Sequence, residues 1–169
     1  MAFHVPGDLC NLTSVSMGRQ DFSIGTLTPA RVVFIPQAII LGWARDQPGL
    51  GLAVWRAALL DAAVSREWIV NVGRRTAFQR TAHLLCELMV QMRLAGLAQD
   101  FTCDVPFTQV ELADALGLTP VHVNRTLQWL RSEKLIELSN GTLTVRSWRD
   151  LKQAAGFDPT YLHQLQVGS

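Results

Sequence analysis

The sequence is poor in the residues that build metal centres and disulfide frameworks. Its 169 residues include three cysteines, Cys10, Cys86 and Cys103, which are widely spaced and form no Cys-x-x-Cys pair. The chain therefore offers no ligand set for a structural zinc ion or a cysteine-bound iron–sulfur cluster. We expect free thiols, which fit a reducing cytoplasm.

Signals for export or membrane insertion are also missing. The N-terminus has no charged start followed by an apolar stretch, so it does not resemble a secretory signal. The richest apolar run, residues 50–64, is interrupted by Arg56 and Asp61 and is too short to cross a bilayer. These absences predict a cytoplasmic protein without a membrane partner.

Catalytic motifs are equally scarce. No Ser/His/Asp arrangement, paired-carboxylate motif or glycine-rich phosphate loop is evident. His83 and Cys86 lie three residues apart on a predicted helix, a spacing that could hold a metal or haem, but no third ligand is evident. We interpret the pair as a satisfied histidine beside a buried thiol. The protein is predicted not to be an enzyme, with a metal- or haem-binding sensor as an alternative.

The composition supports a packed core and a mildly basic C-terminal segment. Hydrophobic residues make up 49% of the chain and charged residues 17%, which excludes a disordered protein. The net charge of +1 by itself says nothing about nucleic acid. Between Thr119 and Lys152, however, six basic residues face three acidic ones, which is a modest positive excess.

The stretch Thr108–Glu133 predicts two helices joined by a tight turn. Leu112 and Leu116 lie on one apolar face of a short first helix. Gly117 follows where a left-handed residue ends a helix at the least steric cost. Thr119 then offers a side-chain oxygen to cap the second helix.

The second helix is predicted to bury one face and present another to solvent. Apolar residues repeat at spacings of four and three, at Val123, Leu127 and Leu130. The outward face then carries Val121, His122, Arg125 and Gln128. This arrangement is typical of a helix-turn-helix, whose second helix enters the DNA major groove. An αα-hairpin within an ordinary helical core is the structural alternative, but Arg and His on the outward face favour DNA.

A predicted β-hairpin follows at once. Asn140-Gly141 lies between two β-rich runs, residues 135–138 and 142–145, and Asn-Gly is a strong hairpin signal. A helix-turn-helix followed by such a hairpin is a winged helix. Arg146 and Arg149, just beyond the hairpin, could contact a phosphate strand.

Upstream, the pattern predicts a strand over Arg31–Ile35, a short helix over Gln37–Arg45 and a long helix over residues 48–73. The long helix is apolar on two sides, so both must be covered. One side can cover the chain's own β segment, and the other most simply meets a second copy. A central helix buried in a monomer is the alternative. The predicted dimer-interface residues are Leu52, Trp55, Leu59, Ala62, Arg66 and Ile69.

Further elements complete the prediction. A second amphipathic helix is expected from about Thr76 to Leu94, and a terminal helix over Trp148–Ala155. Residues Ala98–Asp104 between them are expected to form a loop.

This order of elements resembles the Crp/Fnr family of bacterial transcription regulators. The most specific matches are Phe107-Thr108-Gln109, residues 111–119 and residues 121–127, together with the Val5-Pro6-Gly7-Asp8 turn. The resemblance implies an α+β fold: a partial cyclic-nucleotide-binding-like β-roll over residues 1–47, a dimerisation helix over 48–73 and a winged helix-turn-helix over 74–169. The first half of the roll has no counterpart in this sequence, which indicates a fragment, a start placed too late, or a degenerate sensor.

The departures from the family pattern concern the sensor. Cyclic-nucleotide binders carry a Gly-Glu pair where this chain has Asn11-Leu12, and an Arg-Ser pair that the segment Arg19–Ser23 lacks. The cysteine cluster of the oxygen-sensing branch is absent too. No cofactor is therefore predicted, cyclic AMP is not expected, and the effector is unknown.

The resemblance also implies the residues that contact DNA. Arg125 matches the family's base-contacting Arg and could make a bidentate contact to guanine, whereas Val121 stands where the family has Glu and could touch a thymine methyl. Thr108 and Gln109 would contact phosphates. The full predicted set is Thr108, Gln109, Thr119, Val121, His122, Asn124, Arg125 and Gln128, on a recognition helix of about residues 119–132.

The sequence thus predicts a homodimeric, sequence-specific regulator that binds near-palindromic double-stranded DNA, with RNA polymerase as a further partner by resemblance. A winged-helix module that binds proteins and not DNA is the alternative. The operator, and whether the protein activates or represses, are not predicted.

Overall fold

The structure is a computed structural model and describes residues 3–20 and 22–163. In chain order it contains α1 Thr13–Met17, α2 Gln37–Asp46, α3 Pro48–Arg74, α4 Ala77–Leu94, β1 Ala98–Gln99, β2 Thr102–Asp104, α5 Gln109–Leu116, α6 Pro120–Ser132, β3 Ile136–Ser139, β4 Thr142–Val145, α7 Trp148–Ala155 and a 3₁₀ turn, Pro159–Leu162. The mixed α+β composition that the sequence predicts is confirmed.

α4 is the central helix of the C-terminal body. Its residues 81–90 are all buried, and α5, α6 and α7 pack around it. The helix begins with a capping box, in which the Thr76 hydroxyl accepts from the Gln79 backbone N–H and the Gln79 side chain accepts from the Thr76 N–H. Because residues 81–90 are buried on every side of α4, this part of the helix lies inside a layer of other elements.

A four-stranded antiparallel sheet closes one side of this body, with the strand order β1-β2-β4-β3. Its outer pair, β1 and β2, lies within the Ala98–Asp104 segment, so the prediction of a loop there was wrong. The turn residues Asp100 and Phe101 both have positive φ, at 45° and 60°, without a glycine or asparagine. The usual sequence signal for a hairpin turn is therefore missing.

α3 is a 27-residue helix with Pro48 in its first turn, where the missing N–H leaves no bond unmade. It ends at Arg74, one residue beyond the predicted end. Most of its large apolar side chains are exposed, and within the described residues it buries only Ala63 and Asn71. Among the described residues, no helix has the combined length and apolarity that crossing a bilayer requires.

The region before α3 keeps one predicted turn, but it contains the unpredicted helix α1 and lacks the predicted strand. The Pro6-Gly7 turn is present, closed by a hydrogen bond from the Asp8 N–H to the Val5 carbonyl. The strand predicted over Arg31–Ile35 is wrong, because these residues pair with no other strand and Phe34 is 91% exposed. β-branched residues form a strand only where a neighbouring strand satisfies the backbone. The assignment of residues 1–47 to a partial β-roll stays a prediction.

Candidate nucleic-acid interface

The first helix of the candidate interface, α5, is fixed at both ends. At its start, the Thr108 hydroxyl accepts from the Glu111 N–H at 3.3 Å, and the Glu111 carboxylate accepts from the Thr108 N–H at 2.6 Å. At its end, Gly117 has the left-handed conformation that the sequence predicts, with φ 61°. Leu112 and Leu116 are fully buried against the core. The turn that follows α5 is therefore held in one geometry.

The second helix, α6, presents one face to solvent and buries the other. Thr119 caps it by accepting from the His122 N–H at 3.3 Å. The three residues predicted to face inward, Val123, Leu127 and Leu130, are all buried, which confirms the predicted periodicity. On the opposite face, a shallow open depression is lined by Val121, Asn124, Arg125 and Gln128.

Arg125 is an exposed cation on this face of α6. Its side chain is exposed and makes no ion pair or hydrogen bond with any residue that the structure describes. Val121 beside it is 70% exposed, although it is apolar. A free guanidinium next to an exposed methyl surface can contact both a guanine edge and a thymine methyl.

Asn124 and Gln109 are joined to each other across the two helices. The Asn124 Nδ2 group donates to Gln109 Oε1 at 3.2 Å. This bond orients the Gln109 amide so that its own NH₂ group points away from Asn124 and remains available to an acceptor such as a phosphate. Thr108 and Thr119 also have a structural role, because the hydroxyl of each one caps a helix.

The hairpin has the predicted turn and the predicted bounds of β4, whereas β3 lies one residue later than predicted, at Ile136–Ser139. Asn140 and Gly141 both have positive φ, at 50° and 77°, as a tight Asn-Gly turn requires. The Arg146 guanidinium is paired with the Glu137 carboxylate across the hairpin, so it is less available to phosphate than the sequence suggests. Arg149 contacts Asp150 at 3.5 Å, but its side chain is 92% exposed.

Two side chains on α4 that the sequence prediction missed connect the winged helix-turn-helix to α3. Arg80 on α4 donates to the Val72 carbonyl at the end of α3 and to the Leu116 carbonyl at the end of α5, each at 2.7 Å. Glu87, also on α4, accepts hydrogen bonds from Trp68 and Tyr161. No local sequence signal marks either residue, because their partners are distant along the chain.

The His83 and Cys86 pair proves to be buried, with both side chains fully enclosed. His83 Nε2 lies 3.1 Å from the Tyr161 hydroxyl. Burial lowers the pKa of His83 to about 3, and the nearby Arg75 guanidinium adds to this effect. Burial also raises the pKa of the Cys86 thiol far above its usual range. Within the described residues, no group of three or more His, Cys, Asp or Glu side chains could hold a metal ion.

The predicted dimer-interface residues form one exposed stripe along α3. Leu52, Trp55, Leu59 and Ile69 are each more than half exposed. Arg66 is exposed and Ala62 half-buried on the same side. An apolar stripe of this length on an isolated chain is unusual unless another surface covers it.

Comparison with known proteins agrees with this architecture. Residues 79–154 match the Crp-like helix-turn-helix domain. The nitrogen fixation regulation protein FixK of Azorhizobium caulinodans is 26% identical over 137 residues, which are 81% of this chain and 54% of that protein. The transcriptional activator protein FnrL of Cereibacter sphaeroides is 30% identical over 66% of this chain and 46% of its own length. The solved structure of FixK2 from Bradyrhizobium japonicum superposes with a TM-score of 0.63, at 21% identity, over 71% of this chain and 59% of that one.

The fold and the outward face of α6 define a winged helix-turn-helix protein, the class in which a short helix, a tight turn, a recognition helix and a β-hairpin follow one another. Its helix-turn-helix domain belongs to the Crp-like family, and the chain as a whole is similar to transcription regulators of the Crp/Fnr type. It spans about half the length of the curated relatives it matches.

Proposed function

We propose that this chain acts as a homodimeric, sequence-specific DNA-binding regulator of transcription. The observation that carries the proposal is the solvent face of α6, where Arg125 lies free beside Val121 and Gln128 while the opposite face is locked in the core. A rigid helix with free polar groups on one side suits insertion into the major groove. The names of the relatives FixK and FnrL support a regulatory role.

The residues divide into two roles in this proposal. Val121, Arg125 and Gln128, with His122 and Asn124 at the edges of the same face, contact base edges. Thr108, Gln109 and Thr119 lie at the starts of α5 and α6, where backbone N–H groups and the positive end of the helix favour phosphate. Base contacts give sequence preference, whereas phosphate contacts fix the register.

Dimerisation through α3 is the second part of the proposal. The exposed stripe of Leu52, Trp55, Leu59 and Ile69 would pack against the same stripe of a second copy. Such a symmetric pair would place two recognition helices against successive major grooves, and so favour a near-palindromic site. We further propose a cytoplasmic location and RNA polymerase as a partner, as for a bacterial regulator of this family.

The proposal is tested by selection from a random duplex library, followed by anisotropy titrations of the selected site and of scrambled DNA at two salt concentrations. We expect a two-fold symmetric site, bound at least about a thousandfold more tightly than scrambled DNA. Affinity should fall steeply with salt because phosphate contacts release counterions. Equal, weak binding to every duplex would contradict the proposal and favour a protein-binding winged helix.

Two Arg→Ala variants, each of which removes one positive charge, distinguish a base contact from a phosphate contact. Arg125→Ala should lower affinity for the selected site roughly 5- to 150-fold and relax preference at one position of each half-site. Arg149→Ala should weaken all sequences about equally and leave the preference unchanged. If Arg125→Ala keeps the wild-type preference at every position, Arg125 is not a base-contacting residue.

A further inference from the structure

A polar cluster with a buried centre joins three elements that are distant in sequence. α3 contributes Trp68, α4 contributes Glu87 and His83, and the C-terminal 3₁₀ turn contributes Tyr161. Trp68 Nε1 donates to Glu87 Oε1 at 2.9 Å, while the Tyr161 hydroxyl donates to Glu87 Oε2. One carboxylate on the central helix therefore receives one hydrogen bond from the long helix and one from the C-terminal turn.

The direction of each hydrogen bond in this cluster follows from the available protons. Tyr161 has a single hydroxyl proton, which it donates to Glu87. His83 Nε2, 3.1 Å from the same hydroxyl oxygen, must then carry a proton and donate it. Glu87 accepts from both sides and has no donor of its own when ionised. A cluster with every direction fixed holds its three elements in one arrangement.

Two charged residues next to the cluster, Glu67 and Arg75, also connect α3 to the C-terminal residues. Glu67 Oε1 lies 3.9 Å from His83 Nε2 and accepts from Arg75 Nη2 at 2.6 Å. The same Arg75 nitrogen donates to the Gly156 carbonyl at the end of α7. α3 is thus connected to the C-terminal residues by a second, charged route beside Glu87.

Arg80 provides an attachment at a different point. It joins the end of α3 to the end of α5 through the Val72 and Leu116 carbonyls. Arg80 and Glu87 are seven residues apart on α4, which corresponds to roughly 10 Å along the helix. Two separated attachments leave two rigid units free to rotate only about the line that joins them, and the Arg75 contact with Gly156 restricts this remaining rotation.

We infer that Glu87 and Tyr161 are positioning residues for DNA recognition, which hold α3 and the winged helix at the angle that sets the distance between the two recognition helices of a dimer. This inference rests on the proposed function. Neither side chain touches the candidate DNA face, so their effect on binding passes through the orientation of the unit that carries Arg125. The quantity they control is the preferred spacing between half-sites, because the α3 pair fixes the dimer axis.

The test is a series of duplexes in which the two half-sites of the selected operator are moved apart or together by one and two base pairs. Full-length wild-type protein is compared with Tyr161→Phe, which removes only the hydroxyl, and Glu87→Gln, which leaves one acceptor in place of two. Thr144→Val is the matched control, since it removes a half-buried hydroxyl whose contact with Thr102 lies within the sheet of the winged helix. Single half-sites are titrated in parallel.

We expect wild type and Thr144→Val to favour the selected spacing over its neighbours by at least about tenfold, because both recognition helices can bind at once only at a matching spacing. Tyr161→Phe and Glu87→Gln should reduce this ratio to about threefold or less, while their affinity for a single half-site stays within about twofold of wild type. General loss of fold would lower half-site affinity as well, so the combination of the two readouts separates positioning from stability. If one variant fails to fold, as judged by its thermal melt, the other and Trp68→Phe carry the test.

The possible outcomes test this inference separately from the proposed function. Wild-type spacing preference that is unchanged in both Tyr161→Phe and Glu87→Gln would overturn the positioning role and leave the proposed regulator intact. A wild-type protein that binds a single half-site as tightly as the full operator, at any spacing, would overturn the dimeric part of the proposed function together with this inference.

Discussion

The regions before and after residue 76 differ in how their apolar side chains are covered. Among the described residues, every buried apolar side chain except Ala63 lies between Ala82 and Leu162. The earlier region instead exposes many large apolar groups, such as Phe34 and Ile69. The C-terminal body therefore contains its own core, whereas α3 and the residues before it leave apolar surface that another surface would cover.

The difference explains why most helices and turns of the C-terminal body follow local sequence signals, whereas the earlier region does not. A body with its own core has one low-energy packing, so its helix caps, turn glycines and apolar spacing all agree. A region whose apolar side chains are exposed gains much of its stability only when another surface covers these side chains.

The largest expected contrast comes from the same substitution in the two regions. Leu127→Ala, in the core beneath α6, should lower the free energy of unfolding by about 2–5 kcal/mol, because a buried leucine leaves a cavity. Leu52→Ala, on exposed α3, should change it by less than about 0.5 kcal/mol. Urea denaturation at protein concentrations low enough to keep the chain monomeric measures both. Equal losses would show that α3 belongs to the same core.

Acid should weaken the C-terminal body through His83. Its folded pKa of about 3 lies below the unfolded value of 6.5, so between these values the unfolded chain binds a proton that the folded chain excludes. Stability should therefore fall as the pH is lowered from 7, by on the order of 3 kcal/mol at pH 4. Glu87 acts in the opposite direction, because burial raises its pKa and the folded state takes up its proton first.

Urea denaturation at pH 7, 5.5 and 4 checks this expectation, with His83→Gln as the non-titrating comparison. Glutamine can still donate to the Tyr161 hydroxyl, so the variant should lose most of the pH dependence above pH 4 whatever its stability at pH 7. A wild-type slope that persists in His83→Gln would assign the acid sensitivity to other groups.

A charge introduced at the centre of the exposed α3 stripe tests whether this stripe forms the dimer contact. Leu59→Asp should raise the dimer dissociation constant about a hundredfold or more, because two carboxylates would face each other across an apolar seam. Leu94→Asp introduces the same charge at an equally exposed leucine at the end of α4 and should leave the dimer intact. Sedimentation equilibrium measures both. A monomeric wild type would contradict the dimer, and equal effects of the two variants would place the dimer contact elsewhere.

The parts of the fold that the sequence predicts well are those with local causes. The bounds of α5, α6 and the β3–β4 hairpin follow from Thr119, Gly117 and the Asn140-Gly141 turn, each of which acts within a few residues. The inward and outward faces of α6 follow from a period of 3.6 residues. For the same reason, the candidate DNA face could be named before its geometry was known.

The parts that the sequence does not predict depend on partners far along the chain. β1 and β2 form because β2 pairs with β4, 40 residues later, as in the Cys103–Leu143 register. Arg31–Ile35 has strand-forming residues but no partner strand in the described chain. Arg80 and Glu87 link helices through contacts 36 and 74 residues apart, which no local pattern marks.

The smallest contrast uses one glycine from each region. Gly117 has φ 61°, so Gly117→Ala should cost about 1 kcal/mol of unfolding free energy through backbone strain alone. Its new methyl group would find ordinary space, since the nearest atom, Arg80 Nη1, would lie 3.8 Å away. Gly73→Ala, within α3 and with open space around it, should instead be neutral or stabilise by up to about 1 kcal/mol, because alanine favours the helix. Urea midpoints for the two variants should therefore move in opposite directions. A loss at Gly73 matching that at Gly117 would mean that the end of α3 is tightly packed, contrary to the exposed surface described above.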